Sequence, residues 1–181
     1  MAGSSREERA WVRGARDGSV ADLEALFREH WPRAYRAAYL VVHDAAAAED
    51  VAQEAFLAAL RALDRFDRGR PFGPWLHRIV VNRAIDWARA RSLRGEVFAE
   101  GLLEAAPAAE APAARGPYAD ATVAALAELS PEHRAVIVLR YLLEYTPGEI
   151  AELLELPRGT VNSRLRRGLD QLGGRLEEEE R

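Results

Sequence analysis

The stretch TPGEIAELLELPRGTVNSRLRRGL, residues 146–169, decides the fold. Thr146, Pro147 and Glu149 form a capping box with proline at the first helical position, so a helix starts there. It carries Ile150, Leu153 and Leu154, and Glu155-Leu156-Pro157 breaks it. A second helix follows with Val161, Leu165, Leu169, Leu172 and Leu176 on one face. Helix, three-residue break, and helix with a basic outer face is the helix-turn-helix pattern. With the apolar stripe buried, the exposed side holds Arg158, Thr160, Asn162, Ser163, Arg166 and Arg167. Residues at the N-terminal end of such a helix meet base edges, where arginine reads guanine and asparagine reads adenine. Arg164 and Arg167 suit phosphate contacts, which add affinity with little sequence preference.

Upstream, helical periodicity continues and strand signals are nearly absent, so the expected class is all-α. Ser130-Pro131-Glu132 caps another helix. Between Ala99 and Pro117, alanine and proline fill most positions with no sustained apolar stripe. Such a segment cannot offset its ordering entropy by burial and is expected to be a flexible linker. It divides the chain into two small helical domains, with 1–94 and 119–181 as expected domains and 95–118 as the linker. In the first, Ser19 and Asp22 open a helix bearing Leu23, Leu26, Phe27, Ala34, Ala38, Val41 and Val42, with a kink or break expected at Pro32. A helix over roughly 45–63 follows, then a loop from Gly69 to Pro74 and a helix over about 74–92.

Composition narrows the chemistry. The 181 residues are 49% hydrophobic and 30% charged, as in a globular protein with a core. The absence of cysteine removes disulfides, thiolate metal sites and cysteine nucleophiles, and suits a reducing cytosol. All 25 basic residues are arginine, so a Gly-Lys-Ser/Thr phosphate loop and a Schiff-base lysine are excluded. No apolar run approaches the ~20 residues that span a bilayer, and the N-terminus is charged where a signal peptide is apolar. Glu49, Asp50, Gln53 and Glu54 cluster on one helix, but no histidine completes a metal set, and neither His-Glu-x-x-His nor a nucleophile elbow occurs. Neither an enzyme, a metal nor a cofactor is expected.

The net charge of −4 conceals a pattern. Eight arginines against two aspartates lie between Arg65 and Arg94, and five against one between Arg158 and Arg175. Two separated basic segments are the footprint of a protein that grips a polyanion at two places. In the first, Phe66, Phe72, Trp75 and Trp87 interleave with arginines, an arrangement that stacks unpaired bases while cations follow the backbone. The loop Asp67–Gly73 could form a pocket for a base removed from the stack. Phe66 and Trp87 are expected in the core, whereas Trp75 is open to either role.

Three motifs, in order, resemble the sigma-70 family of bacterial RNA polymerase sigma factors. Ala48-Glu49-Asp50-Val51-Ala52-Gln53-Glu54-Ala55-Phe56-Leu57 resembles the helix that docks on the clamp helices of the β′ subunit. Phe72-Gly73-Pro74-Trp75-Leu76-His77-Arg78-Ile79-Val80-Val81-Asn82-Arg83 resembles the loop and helix that melt and read the minus-ten element. Residues 150–165 are similar to the family's minus-thirty-five reader. With two domains and nothing large between or before them, the chain resembles the extracytoplasmic-function (ECF) type.

The resemblance implies a cytoplasmic specificity subunit without catalysis, partnered by core polymerase (β′ clamp helices and β flap), promoter DNA and an anti-sigma factor. It assigns polymerase binding to Glu49, Asp50, Gln53 and Glu54. The minus-ten strand falls to Arg70, Phe72, Trp75, Arg78, Asn82, Arg83 and Arg89. The upstream duplex falls to Arg158, Thr160, Asn162, Ser163, Arg164, Arg166 and Arg167. The linker would thread between the domains; its 23 residues from Gly95 to Pro117 average roughly 25 Å as coil and reach about 75–80 Å extended. Three features depart from the family pattern: Pro147-Gly148 in place of acidic or aromatic residues, Asn162 in place of a lysine or arginine, and the acidic tail Glu177–Glu180. The alternative is a stand-alone helix-turn-helix regulator of duplex operators, which needs neither an acidic docking face nor a strand-melting segment.

Overall fold

The computed structural model describes residues 2–67, 69–93 and 117–179, with side chains over 6–67, 69–93 and 121–175. Among the described residues all regular structure is helical. The N-terminal lobe holds α1 (Ala2–Arg16), α2 (Val20–Val42), α3 (Ala45–Arg61), a 3₁₀ turn (Leu63–Arg65) and α4 (Phe72–Leu93). The C-terminal lobe holds α5 (Pro117–Ala127), α6 (Pro131–Ile137), a π-helical turn (Val138–Leu142), α7 (Pro147–Leu154) and α8 (Arg158–Glu179). The expected linker falls almost wholly outside the described residues, and α5 begins at Pro117.

Sequence signals account for most helix ends. Ser19 accepts from the Asp22 N–H and caps α2. Asp44 does the same for α3 through the Ala47 N–H at 3.0 Å, and Ser130 for α6 through His133. The expected break at Pro32 does not occur, because α2 runs through it to Val42. Pro32 lies on the exposed side, so the carbonyl that loses its helical partner faces water. Small residues let α2 and α3 approach closely, since Ala34, Ala37, Ala38, Ala48, Ala52 and Ala55 are all fully buried. Val41, Val51, Phe56, Leu76 and Val80 fill the space around them.

Helix α1 lies in a segment the sequence marked only as charged. Val12 is its buried anchor, with Trp11 and Ala15 packed beside it. Glu8 then reaches across to α4: its carboxylate accepts from the Phe72 N–H at 3.4 Å and lies 2.9 Å from His30 Nε2. Burial alone would raise the Glu8 carboxyl, but the His30 hydrogen bond and charge, with the N–H groups of Phe72 and Gly73, hold it below the usual value. Thus α1 supplies the N-terminal cap that α4 lacks locally.

In the C-terminal lobe, α6 continues into a π-helical turn closed by Leu143 N–H to Val138 C=O at 3.1 Å. Arg140 Nη1 donates to the Tyr145 carbonyl at 3.2 Å and orients the next turn. The capping box is complete: Glu149 N–H donates to Thr146 Oγ1 and Thr146 N–H donates to Glu149 Oε2 at 2.7 Å. At the other end of α7, Glu155 adopts the left-handed conformation (φ 54°), and Leu156 N–H donates to Ala151 C=O at 2.9 Å, closing a Schellman-type cap.

The stripe predicted for α8 needs one correction. Val161 and Leu165 are buried, but Leu169 is exposed and Gly168 takes its place. A Cβ at Gly168 would stand 2.9 Å from Ile137 Cδ1, so glycine is what lets α8 lie close on α6.

The two lobes lie against one another. Helix α4 meets α6 and α7, while α2 meets α5, α6 and the π-helical turn.

Candidate functional site

Three surfaces carry the residues singled out from the sequence. On α3, Val51, Ala52, Ala55 and Phe56 turn inward, which leaves Glu49, Asp50, Gln53 and Glu54 exposed together. Gln53 Nε2 donates to Glu49 Oε1 at 3.1 Å. Glu54 pairs with Arg83 Nη1 of α4 at 2.8 Å, so the acidic strip is tied to the basic helix beside it. Next to the strip, an open apolar groove of about 330 Å³ runs between α2 and α3, lined by Val20, Leu23, Phe27, Phe56 and Leu60. No single motif marks this groove; Phe27, which spacing placed on the apolar stripe of α2, is exposed beside it together with Val20.

The second surface is α4 and the loop before it. Asp67 shapes the loop by accepting from the Gly69 N–H at 2.9 Å, and its backbone carbonyl accepts from the Arg70 N–H at 3.0 Å. Arg70 and Arg89 are exposed, and Trp75, Arg78, Asn82 and Arg83 are half-buried. Phe72 is a correction. At 1% exposure it is core, wedged among Phe66 (ring centres 5.9 Å apart), Trp75 (5.7 Å) and His30 (5.2 Å), rather than an exposed stacking platform. Phe66 is buried, as expected. Trp87, expected in the core, is only half-buried, with the Arg91 guanidinium 5.2 Å from its ring centre. A cavity of about 110 Å³ opens between α1 and the loop, walled by Glu8, Arg13, Phe66, Arg70 and Phe72.

The third surface is the outer side of α8. Arg158, Asn162, Arg166 and Arg167 are exposed, and Thr160, Ser163 and Arg164 are half-buried. Arg164 lies close enough to Glu132 to help depress that carboxyl.

The lobes meet across α4. His77 Nδ1 and the Tyr145 hydroxyl are 2.7 Å apart, Arg89 Nε lies 2.5 Å from Glu132 Oε1, and Arg78 pairs with Glu155. Burial first, then the neighbouring charges of His30 and Arg33, lowers His77 to about 4, while Glu8 opposes them. Sequence reasoning passed over His77, Glu132, Tyr145 and Glu155, because a contact across 43 to 77 positions leaves no local pattern. Among the described residues no three histidines, aspartates or glutamates gather into a metal-holding group, and no helix is long and apolar enough to cross a membrane.

Residues 26–94 match the family described as Sigma-70 region 2, and residues 119–172 match Sigma-70, region 4. The ECF RNA polymerase sigma factor SigW of Bacillus subtilis is 30% identical over 176 residues, covering 87% of this chain and 89% of that protein. SigL of Mycobacterium tuberculosis, also an ECF RNA polymerase sigma factor, is 39% identical over 162 residues, covering 86% and 89%. The chain belongs to the ECF RNA polymerase sigma factors. Its region 2 spans α2 from Leu26 through α4, and its region 4 begins within α5 and ends in α8. The solved structure of CnrH in complex with the cytosolic domain of CnrY aligns with a TM-score of 0.70 at 27% identity, covering 95% of this chain and 98% of that one. RpoE of Bartonella quintana, solved with the anti-sigma factor NepR, shares the fold at a TM-score of 0.70 and 24% identity. Helix α1 precedes the region 2 match, so the Glu8 cap on α4 lies outside the part that defines the family.

Proposed function

We propose that this protein is a promoter-specificity subunit that lends DNA addresses to core RNA polymerase and performs no catalysis of its own. The observation that carries this is the presence of both sigma regions, in order, each exposing a basic surface, with an acidic docking strip on the first. Relatives over most of the chain's length are named sigma factors, which favours this function over that of a stand-alone operator-binding regulator.

The division of labour follows from chemistry. Glu49, Asp50, Gln53 and Glu54 offer carboxylates and an amide on a rigid helix, suited to basic side chains on the polymerase clamp. Arg78, Asn82, Arg83 and Arg89 line α4 as a cationic track for the separated minus-ten strand, with Arg70 and Trp75 at its entrance. The cavity beside the loop is the place for one unstacked base, with Phe66 and Phe72 as its apolar wall. On α8, Arg158, Thr160, Asn162, Ser163 and Arg166 face base edges of the upstream duplex, while Arg164 and Arg167 hold phosphates. Domains of 1–94 and 119–181 with a linker over 95–118 belong to this proposal. So do work in the cytoplasm, contact with the β flap, and control by an anti-sigma protein, the last supported by the similar RpoE structure, solved with an anti-sigma factor.

Run-off transcription with purified core polymerase tests the proposal. Adding the protein should produce promoter-dependent initiation that core polymerase alone does not give. Absence of initiation, together with an unaided footprint on a palindrome, would establish the operator-binding alternative.

A further inference from the structure

We propose that helix α1 carries a third nucleic-acid contact, in which Arg6, Arg9 and Arg13, together with Arg70 of the loop, hold the phosphates of the separated strand where it runs on past the start of α4. The inference rests on α4 being the strand-binding helix.

Helix α1 holds Arg6, Arg9, Arg13 and Arg16 at alternating three- and four-residue spacing, so the four lie along one stripe. Arg16, at the end of the stripe, is tied to Asp64 at 3.3 Å, and Arg6, Arg9 and Arg13 are exposed. The acidic residues of α1 leave the stripe alone. Glu7 projects about 100° round the helix from Arg6, and Glu8 is turned inward to His30. The stripe lies outside both basic segments of the sequence, yet it is a cationic face of the same kind.

Two anchors fix where this face stands. Glu8 accepts from the Phe72 N–H that opens α4, and Arg16 holds the turn that leads into the loop. Arg9 and Arg13 are thereby brought to the cavity between α1 and the loop, where Arg70 forms part of the same border. Val12, Phe66 and Phe72 supply its apolar lining. Guanidinium groups around an apolar slot are what an unstacked nucleotide requires, cations for its phosphates and a dry wall for its base. From Arg6 to Arg13 the stripe covers roughly 10 Å of helix, so it lengthens the cationic track of α4 by that amount.

The direction of the strand follows from what the rest of the DNA must do. Upstream of the minus-ten element the DNA stays duplex, because α8 reads a major groove there. Melting continues toward the transcribed side. The single strand that passes α1 is therefore the one leading downstream, over positions that neither α4 nor α8 covers. Holding it favours the melted state.

Reconstituted polymerase holoenzyme and two fluorescein-labelled fork probes test this contact. Both probes carry the minus-ten element as single strand; one ends there, and the other extends about eight nucleotides further downstream. R9A/R13A should bind the short probe as the parent does and the long probe more weakly. Its plot of log affinity against log salt on the long probe should be shallower by about 1.4, the worth of two phosphate contacts on a single strand. The parent's advantage should accordingly shrink about sevenfold between about 50 and 200 mM salt. R9K/R13K keeps the charges and should keep the parent's slope. Equal slopes for parent and R9A/R13A on the long probe, equal losses on the two probes, or a slope in R9K/R13K as shallow as in R9A/R13A would each overturn the contact. Binding of neither probe by parent or variant holoenzyme would instead refute the sigma function beneath it.

Discussion

Asp50 sits at the middle of the α3 strip, exposed and without an ion pair among the described residues, while its neighbours Val51 and Ala52 are buried. Reversing its charge touches no packing. Asp50→Arg should therefore abolish co-elution with core polymerase on gel filtration while leaving the thermal midpoint within about a degree or two, as for an ordinary surface substitution. His77 makes the opposite case, because it is buried and its folded-state pKa is lowered to about 4 from 6.5. A depressed histidine keeps the native state favoured above pH 6.5 and withdraws that support as pH falls toward 4, where the unfolded chain takes up the proton first. Acid over this window should remove about 3 kcal/mol of stability, and His77→Gln should give a shallower decline in urea titrations at pH 6.5, 5.5 and 4.5. The exposure of Glu49, Asp50, Gln53 and Glu54 on α3 and of Arg158, Asn162, Arg166 and Arg167 on α8 was legible from spacing, whereas Thr160 and Ser163, expected on the exposed side, are half-buried. Phe72 was not, because an aromatic among arginines suits a stacking platform and a core equally until its neighbours are known; Phe66, Trp75 and His30 decided it.

At the scale of the element, helix starts were the clearest signals, since a cap is a local event within four residues. Thr146 shows the strength of such an assignment: both hydrogen bonds of its box are present, and Thr146→Ala should destabilise the region 4 lobe by about 1 kcal/mol in denaturant unfolding. Periodicity was less complete. In α8 it placed Leu169 in the stripe, but the contact with α6 selects Gly168, whose missing side chain is the feature that packs. A stripe drawn from apolar residues cannot find a glycine. Helix α1 was missed for a related reason: one buried valine and a reaching glutamate make a thin pattern, and the function of Glu8 is visible only against the start of α4. The outer face of α8 permits a direct prediction. Arg166 is exposed on the side that would enter a major groove, so Arg166→Ala should weaken binding of the upstream element by about 1–3 kcal/mol in the reconstituted polymerase complex and relax preference at one base pair. Unchanged preference in that variant would remove Arg166 from the reading set.

At the scale of the whole molecule, helical periodicity and two separated basic segments pointed to two all-helical lobes, and the all-helical class and two sigma regions in that order are found. Their mutual contact was not foreseen, because it joins residues far apart in sequence through half-exposed carboxylates that resemble any solvated surface charge. Two lobes, each with its own DNA-facing helix, gain specificity only when a larger partner holds them at the spacing of two promoter elements, more than one ~34 Å helical turn apart. Mapping the 5′ ends of transcripts made by core polymerase on genomic DNA, with and without this subunit, tests that account most directly. New start sites sharing a minus-ten element and a second element at fixed distance upstream are the predicted result. An identical set of start sites in the two reactions would contradict it.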